Sequence, residues 1–268
     1  MPMVRILVRS AVSVWGVLKR KGRHKIRAMI TALCMKKWIS YMPWIDCGGM
    51  TESISTALGH VFAAFADVEC PTEIEVSPVK KAEDYQVLLH VPRESLNAEQ
   101  FSGYLFGVFH TVGGAEDFLY FFPRLLELAA ENGTEILREL LFQKSGLAEW
   151  RLWRSDRVVA FQAYLTAVIE SFSTYSWSED EMDSWICALS YCVEDLDCQL
   201  EGLMSSSEAA NHNLIELYES NSETLLKRNA LRNPFWPASS RVHDRIVTWF
   251  SRPGVVKRIY DIYQSRDL

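Results

Sequence analysis

The chain has 268 residues, 49% apolar and 23% charged, the mix of a protein that buries one large or two small cores. Thirteen glycines and nine prolines are too few for a low-complexity chain, and an aromatic share of 12% excludes intrinsic disorder as the general state. The net charge of −6 is unevenly spread: residues 1–49 hold ten Lys or Arg against Asp46 alone (+9), and the other 18 basic and 33 acidic residues leave a body of −15, which disfavours nucleic-acid binding through that body.

The basic extension, residues 1–49, opens on an apolar run over 6–18, too short for the roughly 20 residues that span a bilayer. The block Lys19-Arg20-Lys21-Gly22-Arg23 follows that run, and no small-residue cleavage pattern comes after it, so a secretory signal fits poorly. Three readings stay open. The reading frame is over-extended and the native start is Met50; the segment is an amphipathic helix on an anionic membrane, with Trp15, Trp38 and Trp44 at the interface; or it is a transit peptide. Composition changes at Cys47-Gly48-Gly49-Met50, which sets residues 50–268 apart as a single helical domain.

Along that domain the periodicity is helical throughout. Ile54, Leu58, Val61, Phe62 and Phe65 recur on one face over residues 52–66, and a short helix is expected within 80–90. Asn97 with Gln100 three residues on forms a capping box for a helix carrying Phe101, Tyr104, Leu105 and Val108, stopped by Gly113-Gly114. The next helix opens at Ala115-Glu116-Asp117, meets Pro123, which should kink or interrupt it, and ends at Asn132-Gly133. Thr134 is expected to cap a helix broken by Gly146, Ser155 to cap one through Phe172 with Val158 and Val159 inward, and Ser178 to open one with Glu179, Asp180 and Glu181 in its first turn. One or two helices over 209–226 and a break at Asn233-Pro234-Phe235-Trp236-Pro237 precede two last helices, the second with Pro253 in its first turn. With Glu73–Val76 the only strand candidate, the expectation is an all-α chain of about nine helices, arranged as an irregular multi-helix bundle or as stacked helix pairs.

Motifs that carry chemistry are missing. The six histidines are scattered, no Cys-x-x-Cys or His-Glu-x-x-His occurs, and Gly113-Gly114 lacks the Lys-Ser/Thr of a phosphate loop. No cofactor or metal is therefore expected, and Cys187 and Cys192 read as buried, reduced thiols. Acidic clusters at Glu179-Asp180-Glu181-Asp183 and Glu194-Asp195-Asp197 read as a helix N-terminus and a solvated face. The pairs Trp150/Trp153 and Phe235/Trp236 are either core or exposed anchors for a partner.

One stretch has a specific pattern: Tyr104, Thr111, Gly113, Asp117-Phe118, Phe121, Pro123-Arg124-Leu125-Leu126-Glu127-Leu128. It resembles a family of uncharacterised bacterial proteins with a Thr-x-Gly turn followed by an Asp-Phe…Pro-Arg…Glu-Leu helix. That resemblance implies kinship from about Met50 onward, with no assigned activity. Relatives follow the Cys-Pro with further cysteines; here Cys70-Pro71 is followed by Thr72-Glu73, so any thiol site at that place is missing. Thr111, Asp117 and Arg124 form the candidate polar site. The resulting expectation is a cytoplasmic bacterial binding or scaffold protein with an unknown protein partner. The alternatives are an enzyme with a noncanonical helical active site and a peripheral membrane protein anchored only through residues 1–49.

Overall fold

A computed structural model describes residues 52–266 apart from 132, 135, 179, 238 and 239, so every reading of residues 1–49 lies outside the described residues. Among the described residues the chain is all-α, with two isolated β-bridges and no strand. Eleven α-helices occur where about nine were expected. They are α1 (Glu52–Ala64), α2 (Gln86–His90), α3 (Ala98–Gly107), α4 (Ala115–Ala130), α5 (Arg138–Leu147), α6 (Ser155–Ser171), α7 (Glu181–Leu189), α8 (Leu196–Gln199), α9 (Glu208–Arg228), α10 (Arg241–Phe250) and α11 (Pro253–Arg266). The surplus comes from pieces such as the four-residue α8, a single turn too short to display a period. No described helix is long and apolar enough to cross a membrane.

Local signals fix several helix ends as expected. The Asn97–Gln100 capping box is present in both directions, each bond 2.9 Å long. Ser207 and Ser240, which the sequence reading did not single out, cap α9 and α10 through their hydroxyls. Other ends differ for tertiary reasons. Helix α3 stops at Gly107, not at Gly113-Gly114, because the amides of His110, Thr111 and Val112 all turn back to the Gly107 carbonyl. A Cβ at Gly107 would stand 2.8 Å from the Val112 side chain, so only glycine admits this turn. Helix α4 runs through Pro123 without a break, since its buried face, with Phe118, Phe121, Phe122, Leu125 and Leu126, is held on both sides of the proline. Gly146 lies inside α5, which ends at Leu147, two residues before the left-handed Glu149. Ser155 is the first residue of α6, whose capping position is Arg154, and Val159 faces solvent. Helix α7 begins at Glu181, three residues after Ser178.

The core centres on aromatic rings. Phe122 has Phe65, Phe118, Trp153 and Phe161 around it at centroid distances of 4.9–5.6 Å, mostly edge-on or tilted, the favoured arrangement for paired rings. Trp150 is buried against Phe161, and Trp153 and Trp236 lie half-buried on the core, so these tryptophans act as core residues and not as exposed anchors. Helix α1 lies along α6, and α5 along α7. Cys187 and Cys192 are buried free thiols, and burial pushes the Cys192 thiol up to about 12, which keeps it protonated and unreactive.

Where helices meet, polar side chains from distant segments close the open carbonyls of helix C-termini. Arg154 and Arg157 reach the Ala64 carbonyl at the end of α1. Lys144 reaches the Val108 carbonyl past α3, at 2.8 Å. Fully buried Asn213 of α9 donates to the Phe172 and Tyr175 carbonyls after α6 and accepts from the Trp177 amide. Arg138, the first residue of α5, donates to the Ala129 and Glu131 carbonyls that end α4 and to the Glu181 carboxylate at 2.6 Å, with its guanidinium 4.8 Å from the Trp185 ring. Burial alone would raise the Glu181 carboxyl, but the Ser178 hydroxyl and the charge and hydrogen bond of Arg138 outweigh it and hold Glu181 below the ordinary glutamate range.

Replacing Arg138 by Met is expected to cost about 3–5 kcal/mol, because it leaves a buried carboxylate without its counter-charge. Urea denaturation at neutral pH checks the figure. Glu181 has a lowered folded-state pKa, so its contribution is present at neutral pH and disappears as pH falls through that value; the gap between wild type and Arg138→Met should therefore narrow in acid.

Candidate functional site

The sequence-derived site is Thr111, Asp117 and Arg124, and the structure gives the three residues separate partners. Thr111 belongs to the turn after α3: its carbonyl accepts from the Ser77 amide at 2.9 Å, and its hydroxyl lies beside Gly107. Asp117, in the first turn of α4, accepts from the Gly114 amide at 2.6 Å and fills the space where Gly113, at φ +57°, has no side chain. Arg124 follows Asp117 by seven residues, about 10 Å along the helix axis. It donates to the Leu96 carbonyl at 2.8 Å and pairs with Glu127 and Glu131 toward the other end of α4. Asp117 and the Gly113-Gly114 turn thus come together, while Arg124 is engaged with Leu96, Glu127 and Glu131.

Burial raises the Asp117 carboxyl above the ordinary aspartate range. The amides of Gly114 and of Asp117 itself pull the other way, and the charges of Glu116 and Glu75 add to the rise. The Tyr104 ring lies close to Gly113, and its buried hydroxyl makes no hydrogen bond. Burial, reinforced by the Asp117 charge, raises that phenol well above its usual range. This corner therefore holds its protons tightly, and its short bonds serve the turn that joins α3 to α4.

A second polar cluster lies between α5, α7, α9 and the loop that follows α9. Glu139, in the first turn of α5, and Asp183, in the first turn of α7, are both buried. The Asn233 amide of the loop donates to Glu139 at 2.7 Å and lies near Asp183. Buried Asn221 of α9 donates to Asp183 at 2.7 Å and accepts from the Arg232 amide at 2.7 Å. Burial raises the Asp183 carboxyl. Asn221, Asn233 and the Arg232 charge oppose the rise, and the Glu139 charge adds to it. The thiol of Cys187, one turn further along α7, is pushed well above its usual range by burial and then by the charges of Glu139 and Asp183. The cluster thus brings two buried carboxylates together, each accepting from an asparagine side chain.

Both acidic runs behave differently from the expectation. Glu181 and Asp183 are buried, hydrogen-bonded groups in addition to first-turn acids. Asp197 is buried too, paired with Arg245 and with Arg252 at 3.3 Å beside a shallow depression of about 300 Å³. Sequence reasoning missed Glu139, Asn221 and Asn233 because a polar residue in a helix or loop carries no mark of burial. The one available signal was Asn221 itself, which falls on the inner face of α9 four residues after Leu217. Among the described residues no group of three His, Cys, Asp or Glu side chains is placed to hold a metal ion. Comparison with known proteins adds no relative: no family model, curated protein or solved structure matches the chain.

Substituting Asp183 by Asn tests the electrostatics of the cluster. A carboxyl with a raised folded-state pKa binds its proton more tightly when folded, so its contribution is full in acid and is lost as pH rises through that value. Wild type should therefore lose stability relative to Asp183→Asn as pH climbs from about 4 toward neutrality. Urea midpoints for the two proteins across that range check the sign.

Proposed function

We propose that the helical domain is a non-enzymatic binding or scaffold protein that engages a protein partner through an apolar surface at the adjoining ends of α3 and α5. One observation carries this reading. Phe106 is 57% exposed and Leu147 is 51% exposed. Lys144, one helical turn before Leu147, reaches to within 3.5 Å of the Phe106 carbonyl, which sets the two apolar side chains at one junction. Single exposed apolar residues are ordinary, but two large ones at one junction form the kind of anchor that partners cover. The irregular bundle of helix pairs suits a rigid platform, and the −15 charge of the body favours a protein over a nucleic acid as the partner. A bacterial cytoplasmic setting belongs to the same reading, as does the kinship suggested by the segment from Tyr104 to Leu128.

Phe106→Asp combined with Leu147→Asp should leave thermal stability within about 1 kcal/mol of wild type, since both side chains are exposed. A partner recovered in stoichiometric amount with wild type from a native lysate should be lost with the double variant. Equal recovery by both proteins would refute this surface.

A second reading, an enzyme whose active site lies between helices, is favoured by the two buried carboxylates Glu139 and Asp183. On that reading, any hydrolytic or isomerase activity found in purified protein should fall at least about 100-fold in Glu139→Gln, and an activity that survives the substitution would assign the chemistry elsewhere.

A further inference from the structure

We propose that His243 is an acid-sensitive latch, which ties the loop of residues 229–237 to α10 while its imidazole is neutral and releases that tie when the ring gains a second proton.

The loop begins where α9 ends, at Asn229, whose left-handed backbone (φ +52°) turns the chain back. It is then fastened at successive points. The Arg232 amide donates to Asn221, the Asn233 side chain donates to Glu139, and the Tyr191 hydroxyl donates to the Phe235 carbonyl. These bonds tie the loop to α5, α9 and the turn after α7. Toward α10 the tie is of another kind: the backbone amide of Leu231 donates to Nε2 of His243 at 3.2 Å, and the Trp236 ring stands edge-on to the imidazole at 5.4 Å.

A backbone N–H can only donate, so Nε2 must present its lone pair. The ring proton is then on Nδ1, which donates to the Asp244 carboxylate at 3.0 Å. The geometry thus selects one tautomer of the neutral ring. A second proton can add only at Nε2, where it would point at the Leu231 N–H and turn an attraction into a donor–donor clash. The imidazole is the side chain suited to switch in this way, because it titrates between neutrality and mild acid. The side chain is 19% exposed, enough for solvent to deliver the proton.

Charged groups near this tie have partners of their own. From its own helix the ring faces Asp244. From the loop, Arg232 directs its guanidinium to Asp180, 3.2 Å away. From α8, which packs on α10, Asp197 is taken up by Arg245 and Arg252. The backbone of His243 is itself fixed by its amide bond to the Ser240 hydroxyl, so protonation moves the loop and not the helix. Release would loosen the segment that carries Asn233, the hydrogen-bond partner of Glu139.

The test is amide hydrogen exchange on the full chain, corrected for intrinsic chemical exchange, with the ¹⁵N shifts of the His243 ring measured alongside. Between about pH 7.5 and about pH 5.5 the amides from Leu231 to Trp236 should exchange roughly tenfold faster, while those of α5, which report global opening, stay protected. His243→Gln, whose side-chain oxygen can accept from the Leu231 amide at any pH, should show no such acceleration, and Asp183→Asn should retain it. The ring shifts should place the neutral-pH proton on Nδ1. A flat wild-type profile, an equal response in His243→Gln, or a proton on Nε2 at neutral pH would each overturn the latch; the last of these needs no variant to fold.

Discussion

The Arg138–Glu181 pair is the interaction on which the rest of the structure depends. One guanidinium ends α4, starts α5 and reaches α7, and the carboxylate it meets also accepts from the Ser178 and Gly133 amides and binds the Ser178 hydroxyl. Two charges this deeply buried would cost several kcal/mol each if left alone. They are tolerable because hydrogen bonds occupy the carboxylate and most of the guanidinium, and because Trp185 and Trp177 face the cation with their rings. The arrangement orders the junction of three helices as a unit, since none of these groups can be satisfied without the others.

The same device recurs at other joints. A helix leaves its last carbonyls open, and in this protein those carbonyls are met by side chains that arrive from elsewhere: Arg154 and Arg157 at α1, Lys144 at α3, Asn213 at α6, and Arg151 at the Cys192 carbonyl past α7. Cations suit this place because the C-terminal end of a helix carries partial negative charge. The consequence for Lys144 is instructive. Its ammonium is buried with two carbonyls and no carboxylate, and burial lowers its affinity for a proton. It remains a structural donor, and the junction it closes is the one at which Phe106 and Leu147 reach solvent.

These joints also locate where function can reside. Groups that would draw attention by charge, such as Glu181 and Asp197, are consumed by internal pairing. The Glu139–Asp183 cluster is different, because its carboxylates meet asparagines, one of them on a loop, and not a cation fixed within a helix. The backbone of that loop meets α10 through the Leu231 amide and the His243 imidazole.

What the sequence determined by itself was the class of structure and those helix ends that depend on neighbours in the chain. Apolar spacing marked the buried faces of α1, α4 and α7, and the Asn97–Gln100 box was legible because both partners lie within one turn. The helix that opens at Ala115 was legible as well, and Asp117 was correctly placed in its first turn. The end of α3 was not, because it depends on Val112 closing over Gly107. Nor was the engagement of Arg124 with the Leu96 carbonyl, a partner 28 residues away in the chain. The contacts that only tertiary structure decided span large sequence distances: Arg154 to Ala64, Asn233 to Glu139, Asn213 to Phe172. A polar side chain looks the same in a sequence whether it faces water or a buried carbonyl, and only the packing of the helices shows which of the two it meets.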